Sequence, residues 1–347
     1  MSWPPPSARR AAALAAALAV TALAVTALAD CGVPSGPSAN SAASAGPGGQ
    51  AARAAPAADP SPAPATQAPA CPSAPAGFSC TMRRRIAAVE RYLKDRPGMI
   101  GVVLRDRSTG AVWRNRYAGS QIYMASTSKL AMAVTLLLQN QAGVIHLSSA
   151  DRAVMYRMLH VSSNNAADDL WFKYGATFYT DYFPRIGLTG AHYLHQAGVS
   201  GAYWGEMTCT AEDESRLINY VLNRLPAALR DYLVYQLRHV APVQHFGVWG
   251  AGPAGQPGNK NGWSMEKPGW IIDSTGFAGP GERYTLAMMN SLDGAGGYQA
   301  GTETVTQVAA ILFRGHRIAA PHLSATPGGI WARPLAAIRL HGRGACA

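Results

Sequence analysis

The segment Leu130-Ala-Met-Ala-Val-Thr-Leu-Leu-Leu138 is apolar at every position but one. Its length and composition suit a helix, and a helix apolar on all faces is stable in water only when protein covers it on every side. The chain must therefore build other layers around it. Lys129 stands at the head of the run, and Ser126 three residues earlier. A lysine in the first turn of a buried helix needs a reason for its charge. Residues three apart on a first turn share a face, so the Lys129 amine can reach the Ser126 hydroxyl.

Only the middle of the chain has the composition to supply those layers. Residues 30–79 are dominated by Pro, Ala, Ser and Gly, and such a stretch cannot bury enough apolar area to fold. It reads as a tether. Residues 316–347 are again rich in Pro, Gly and Arg and read as a disordered tail. Between them, residues 80–315 leave about 235 positions of mixed character, enough for one domain with a sizeable core.

Residues 1–29 read as an export signal. Arg9 and Arg10 precede an apolar run from Ala11, and Ala27-Leu28-Ala29 offers a small-x-small cleavage site. Leu28-Ala29-Asp30-Cys31 is also similar to a lipoprotein signal, with Cys31 as the lipidated residue, although Asp30 stands where a small residue is usual. Secretion and a lipid anchor at Cys31 both stay open, with an uncleaved anchor as a third reading. Export permits disulfides. Of the five cysteines, Cys80 can pair with Cys209 or, across a short loop, with Cys71.

The domain reads as a helix over Arg83–Asp95, a hairpin of Met99–Leu104 with Ala111–Arg114, and a helix over Lys129–Asn140. Helices over Asp151–Leu159 and Asn164–Tyr174 follow. Thr210-Ala-Glu-Asp213 has the form of a capping box and opens a helix running through Leu222. Strands over Trp270–Phe277 and Arg283–Met289 and a helix over Thr302–Phe313 close the domain. This order fits an α+β fold, an antiparallel sheet flanked by helices, with an inserted helical subdomain dividing the sheet in sequence. Trp171, Tyr174, Tyr179 and Tyr182 read as core.

The net charge is +11, of which the span from Arg83 to Arg314 carries 23 Lys/Arg against 17 Asp/Glu. No dense basic block interleaves with aromatics, so the footprint of a nucleic-acid binder is missing. His192 and His195 form an H-x-x-H without a carboxylate at ligand spacing, which argues against a metal site there.

Three short patterns carry chemistry. Ser126-Thr127-Ser128-Lys129 matches S-x-x-K. A lysine whose pKa is lowered by burial and nearby positive charge can take the serine proton, and the helix N-terminus favours developing negative charge. Ser162-Ser163-Asn164, followed by Asn165-Ala166-Ala167, matches S-x-N. Lys260-Asn261-Gly262, ahead of the late strands, is similar to K-T-G with Asn in place of Thr. Each alone fits a polar cap or a loop; the three in order are far more specific.

Together they resemble the serine β-lactamase and penicillin-binding transpeptidase superfamily, nearest to class A β-lactamases, over roughly Arg83 to Arg314. The resemblance implies an acyl-enzyme mechanism with no cofactor and no metal. It makes Ser126 the nucleophile, Lys129 its base and Ser162 a proton shuttle. It makes Asn164 a substrate contact and Lys260 a carboxylate anchor beside Asn261 and Gly262. The amides of Ser126 and Trp263 would form an oxyanion hole, worth about 3–4 kcal/mol per donor. The implied partner is a small β-lactam or a peptidoglycan stem peptide.

Three departures matter. Ser126 and Ser162 lie only 36 positions apart, short for class A. Asn261 replaces the usual Thr, and Trp263 crowds it. No Glu-x-x-Leu-Asn loop, whose Glu activates the deacylating water, occurs between Gly187 and Thr208; the region offers His192, His195 and Glu206 instead. The expected outcome is an exported hydrolase that is acylated readily and turns β-lactams over weakly. A cell-wall D,D-carboxypeptidase or endopeptidase, and a non-catalytic wall-binding lipoprotein of the same fold, are the alternatives.

Overall fold

Every residue from Ser128 to Leu137 is buried, so the apolar helix is enclosed on all faces as its composition requires. The computed structural model describes residues 70–194 and 201–319. The predicted export signal, Cys31, His195 and most of the predicted tether and tail fall outside the described residues.

The elements run α1 (Cys80–Lys94), β1 (Met99–Asp106), β2 (Val112–Arg114), β3 (Ile122–Tyr123), α2 (Ser128–Gln141), α3 (Ser149–His160), α4 (Asn164–Tyr174) and α5 (Ala176–Thr180). They continue with β4 (His192–Tyr193), β5 (Met207–Cys209), α6 (Ala211–Asn223), α7 (Ala227–Arg238), β6 (Gly258–Met265), β7 (Trp270–Ala278), β8 (Tyr284–Ser291) and α8 (Tyr298–Arg314). The main sheet has the order β2-β1-β8-β7-β6 and is antiparallel throughout. β1 pairs with β8 over eight positions, from Met99↔Ser291 to Asp106↔Tyr284. The expected architecture, an antiparallel sheet flanked by helices and divided in sequence by a helical block, is the one observed. A small second sheet, β3-β5-β4, lies outside it.

The period of two along each strand separates two cores. Val102, Leu104, Ile272, Leu286 and Met288 pack with Met82, Ile86 and Val89 of α1 and with Val305 and Val308 of α8. Val103, Ile271, Phe277 and Met289 face the opposite way, toward α2 and toward Leu217 and Ile218 of α6. A strand covered on both faces is apolar without alternation, which is why Ile100–Leu104 reads as a continuous run. Trp171 and Tyr179 are buried and stacked, with ring centroids 4.9 Å apart.

Helix ends follow their caps. The Thr210 hydroxyl accepts from the Asp213 amide while the Asp213 carboxylate takes the Thr210 amide, the capping box expected from sequence. Ser148 and Asp151 form a second box at α3, two residues ahead of the expected start. Several elements differ from expectation. β3, α5, β4, β5 and α7 went unread. β6 lies where turn-rich sequence suggested a loop: Asn259 and Asn261 are fully buried, so burial there does not follow polarity. The competing Cys80–Cys209 pairing is overturned. Cys80 is bonded to Cys71, and Cys209 is a free thiol buried beside Met289.

The enclosure of α2 sets a stability prediction. Leu136 is fully buried and Val144, just beyond the helix, is 64 % exposed. Leu136→Ala is expected to cost about 3 kcal/mol in urea unfolding, and Val144→Ala less than about 0.5 kcal/mol.

Candidate active site

Ser126 sits in a tight 3-10 turn, Ala125–Thr127, between β3 and α2. Ala125 holds a left-handed backbone (φ 42°), a conformation that costs a non-glycine residue energy and recurs at functional sites. Ser126 is only 8 % exposed, and Lys129 and Lys260 are completely buried.

Lys129 Nζ lies 2.9 Å from Ser126 Oγ, 2.7 Å from the Ser162 carbonyl oxygen and 2.6 Å from Asn164 Oδ1. The carbonyl and Asn164 Oδ1 can only accept. A neutral amine has two N–H groups and one lone pair. With both N–H groups taken by these acceptors, the lone pair faces the Ser126 hydroxyl, the orientation a base needs. Burial pushes the Lys129 pKa well below its usual range, Lys260 pushes it further, and Asp168 pulls it back.

Ser162 precedes α4 in a left-handed turn (φ 58°), and Ser163 caps that helix by accepting from the Ala166 amide. The cap leaves Ser162 and Asn164 on the side facing α2. Ser162 Oγ lies 3.4 Å from Lys129 Nζ and 3.0 Å from Lys260 Nζ, so one hydroxyl joins two buried amines. Lys260 Nζ also donates to Gln244 Oε1 (2.8 Å) and to the Asn261 carbonyl (2.6 Å). Its pKa too is driven well down by burial, against the pull of Glu214.

Strand geometry sends Lys260 and Asn261 to opposite faces of β6. The Asn261 amide accordingly donates to the carbonyls of Gln244 and Phe246, among buried backbone, and its own carbonyl is what holds Lys260. A Cβ on Gly262 would lie 3.0 Å from the Ser126 amide nitrogen and 2.8 Å from the Met124 oxygen, so the missing side chain lets β6 press against the nucleophile turn. Trp263 is partly buried and meets Phe246 edge-on at 5.9 Å.

Ser126, Lys129, Ser162, Asn164, Lys260 and Gly262 thus converge. Four further contributors escaped sequence reading. Gln244 holds Lys260 and also donates to the Leu159 and His160 carbonyls; nothing local marks it. Asp168 stands one helical turn after Asn164, a spacing that could have flagged it. Its Oδ1 accepts from Tyr203 Oη (2.7 Å) and Trp204 Nε1 (2.8 Å). The Trp204 ring lies 4.5 Å from Lys129 Nζ.

Glu214 is the fourth. It is fully buried behind the nucleophile turn. Thr127 Oγ1 lies 2.7 Å from the Met124 carbonyl oxygen and 2.5 Å from Glu214 Oε1. One hydroxyl proton serves one of these contacts, and a carbonyl cannot donate. Both are satisfied when Glu214 carries a proton. Burial raises its pKa from 4.5 to about 7, in agreement.

Glu206 makes no hydrogen bond to Ser126 or Lys129; burial and the neighbouring Glu266 raise its pKa. His192 lies on β4, exposed, and among the described residues no three His, Cys, Asp or Glu side chains form a metal-binding group. A surface concavity of about 510 Å³, lined by Arg185, Arg216, Tyr220 and Arg224 among others, shares no residue with the cluster.

The raised Glu214 pKa gives a signed expectation. Between pH 4.5 and about 7 the folded chain holds a proton here that the unfolded chain has lost, so this contribution to stability falls as pH rises through that window. The depressed lysines act in the opposite sense, so the comparison must be with Glu214→Gln. Relative to wild type, that variant should gain on the order of 3 kcal/mol between pH 5 and pH 8 in urea unfolding. The same difference at both pH values would remove the assignment.

No established family profile matches the chain. Among curated proteins it is 29 % identical over 231 residues to the candidate lipoprotein LppW of Mycobacterium tuberculosis, covering 63 % of this chain and 71 % of that protein. Among solved structures it is similar to PBP-A, with a TM-score of 0.53 and 17 % identity over 67 % of this chain and 95 % of the other. An ancestral class A β-lactamase gives 0.55 and 17 % over 67 % and 99 %. A β-lactamase of Sphaerobacter thermophilus gives 0.51 and 15 % over 66 % and 94 %. The chain carries the fold of the serine β-lactamases and penicillin-binding proteins.

Proposed function

We propose that this protein is an exported serine hydrolase of the β-lactamase-like class, acylated at Ser126 by β-lactams or acyl-D-Ala-type amides and slow to release the acyl group. The observation that carries the reading is the Lys129 amine, buried, stripped of other uses for its lone pair and 2.9 Å from Ser126 Oγ. A fold alone does not demand such an arrangement.

In the proposed reaction Ser126 Oγ attacks the amide carbonyl carbon while its proton passes to Lys129. The tetrahedral oxyanion is held by the amides of Ser126 and Trp263. Ser162, hydrogen-bonded between two amines, delivers a proton to the leaving nitrogen. The C–N bond breaks and the acyl group stays on Ser126 as an ester. Asn164 and β6 around Gly262 and Trp263 receive the substrate. Lys260 acts on its carboxylate through charge, and Asn261 contributes by its backbone. A point mutant of PBP-A has been solved as an acyl-enzyme complex with penicillin G, a reaction of the kind proposed. A D,D-carboxypeptidase or endopeptidase acting on a peptidoglycan stem peptide uses the same chemistry and is the second reading. The name of LppW supports a place in the cell envelope; in the proposed reading Cys31 is the anchor. Among the described residues no helix is long and apolar enough to cross a membrane.

Incubation with labelled penicillin, and separately with an acyl-D-Ala-D-Ala peptide, followed by peptide mapping should place one adduct on Ser126 and none on Ser126→Ala. Lys129→Ala should slow acylation by roughly 10²–10⁴-fold, the usual worth of a general base. A rate unchanged in Lys129→Ala would end the base assignment, and a chain that no probe acylates would be a binding protein.

A further inference from the structure

Release of an acyl group from Ser126 by hydrolysis has fixed requirements. The water oxygen bonds to the acyl carbonyl carbon, the ester C–Oγ bond breaks, and one water proton ends on Ser126 Oγ. A base must hold that proton in transit. Among the described residues three carboxylates are poorly placed for this. Glu214 lies behind Thr127, to whose hydroxyl it is bonded, and burial raises its pKa to about 7. Glu206 makes no hydrogen bond to Ser126 or Lys129. Asp168 has Oδ1 committed to two donors, one of them the indole N–H of Trp204.

That leaves two amines: Lys260 Nζ is engaged by oxygens of Ser162, Gln244 and Asn261, and the Lys129 amine, which reaches Ser126 Oγ, is closed to water. Its N–H groups are taken by the Ser162 carbonyl and Asn164 Oδ1, and Ser126 Oγ occupies a third direction. The indole of Trp204 covers a further side at 4.5 Å. Trp204 is itself 4 % exposed, so no solvent layer separates ring from amine. The anchor is rigid: Asp168 stands on α4, the helix that also presents Asn164, and Tyr203 donates to the same carboxylate oxygen.

We propose that Trp204, anchored by Asp168, is a positioning residue that keeps water from the Lys129 amine and so sets the lifetime of the acyl-Ser126 ester. The proposal rests on acylation of Ser126 as put forward above. It makes the aromatic face the reason for slow release, a role distinct from the missing glutamate loop.

The test follows the ester by intact-protein mass spectrometry after a pulse of benzylpenicillin or of p-nitrophenyl acetate. It compares wild type, Trp204→Ala, Trp204→Phe and Asp168→Ala. Opening a general base to water carries roughly 10²–10⁴-fold in rate, so Trp204→Ala is expected to lose the ester at least tenfold faster while acylation changes much less. Trp204→Phe keeps an aromatic face but loses the bond to Asp168, so its lifetime should fall between those of wild type and Trp204→Ala. Asp168→Ala frees the indole without deleting it; it should shorten the lifetime and stands in if Trp204→Ala does not fold. A wild-type lifetime in Trp204→Ala, or in Asp168→Ala standing in for it, overturns this proposal and leaves acylation intact. On wild type, no ester but rapid release of hydrolysed probe overturns this proposal alone, and neither ester nor hydrolysed probe overturns the hydrolase reading and this proposal together.

Discussion

Two lysine amines, both excluded from water, share the hydroxyl of Ser162. Two ammonium ions so placed would repel each other across a low-dielectric interior and each lack a hydration shell. The site answers this by giving each amine oxygen acceptors, while burial lowers both pKa values. Much of the surrounding structure serves that end. α2 brings Lys129, the turn before α4 brings Ser162, and β6 brings Lys260. Gln244 ties β6 to the carbonyls at the end of α3. Removing one acceptor would leave a buried donor unpaired, at a cost of about 1–3 kcal/mol.

How much of this was legible in the sequence differs by element. The enclosed helix, the divided sheet and the Thr210–Asp213 cap were readable because each is a local pattern with a physical cause: uninterrupted apolarity, period-two strands, a side chain three residues from its partner. β6 was not readable as a strand. Its inward positions are Asn259 and Asn261, whose side-chain N–H groups donate to carbonyls of Gln244 and Phe246 that come from another part of the chain. Burial of that kind depends on a distant partner and leaves no mark on hydropathy.

The site shows the same division. Ser126 and Lys129 could be linked by helical spacing, and Ser162 and Asn164 by their neighbourhood to a cap. Glu214, Gln244 and Trp204 could not, because their roles come from tertiary placement. Glu214 sits among the polar residues that open α6 and looks like any first-turn acid favourable to the helix dipole. Only its position behind Thr127 distinguishes it from its neighbours Glu212 and Asp213.

The pairing of β1 with β8 joins residue 99 to residue 291. A polypeptide threaded N-terminus first, through a ribosomal tunnel or a membrane pore, presents the nucleophile early. It cannot complete the central sheet until nearly all of the domain has emerged. Contacts of such long sequence separation form late because loop closure must precede them. Lys260 stands on β6, which among the described residues is an edge strand paired with β7, so its place too depends on closure of that sheet. Lys260 and Ser162 stand 98 positions apart in the chain, so the pair of amines exists only once that sheet has closed.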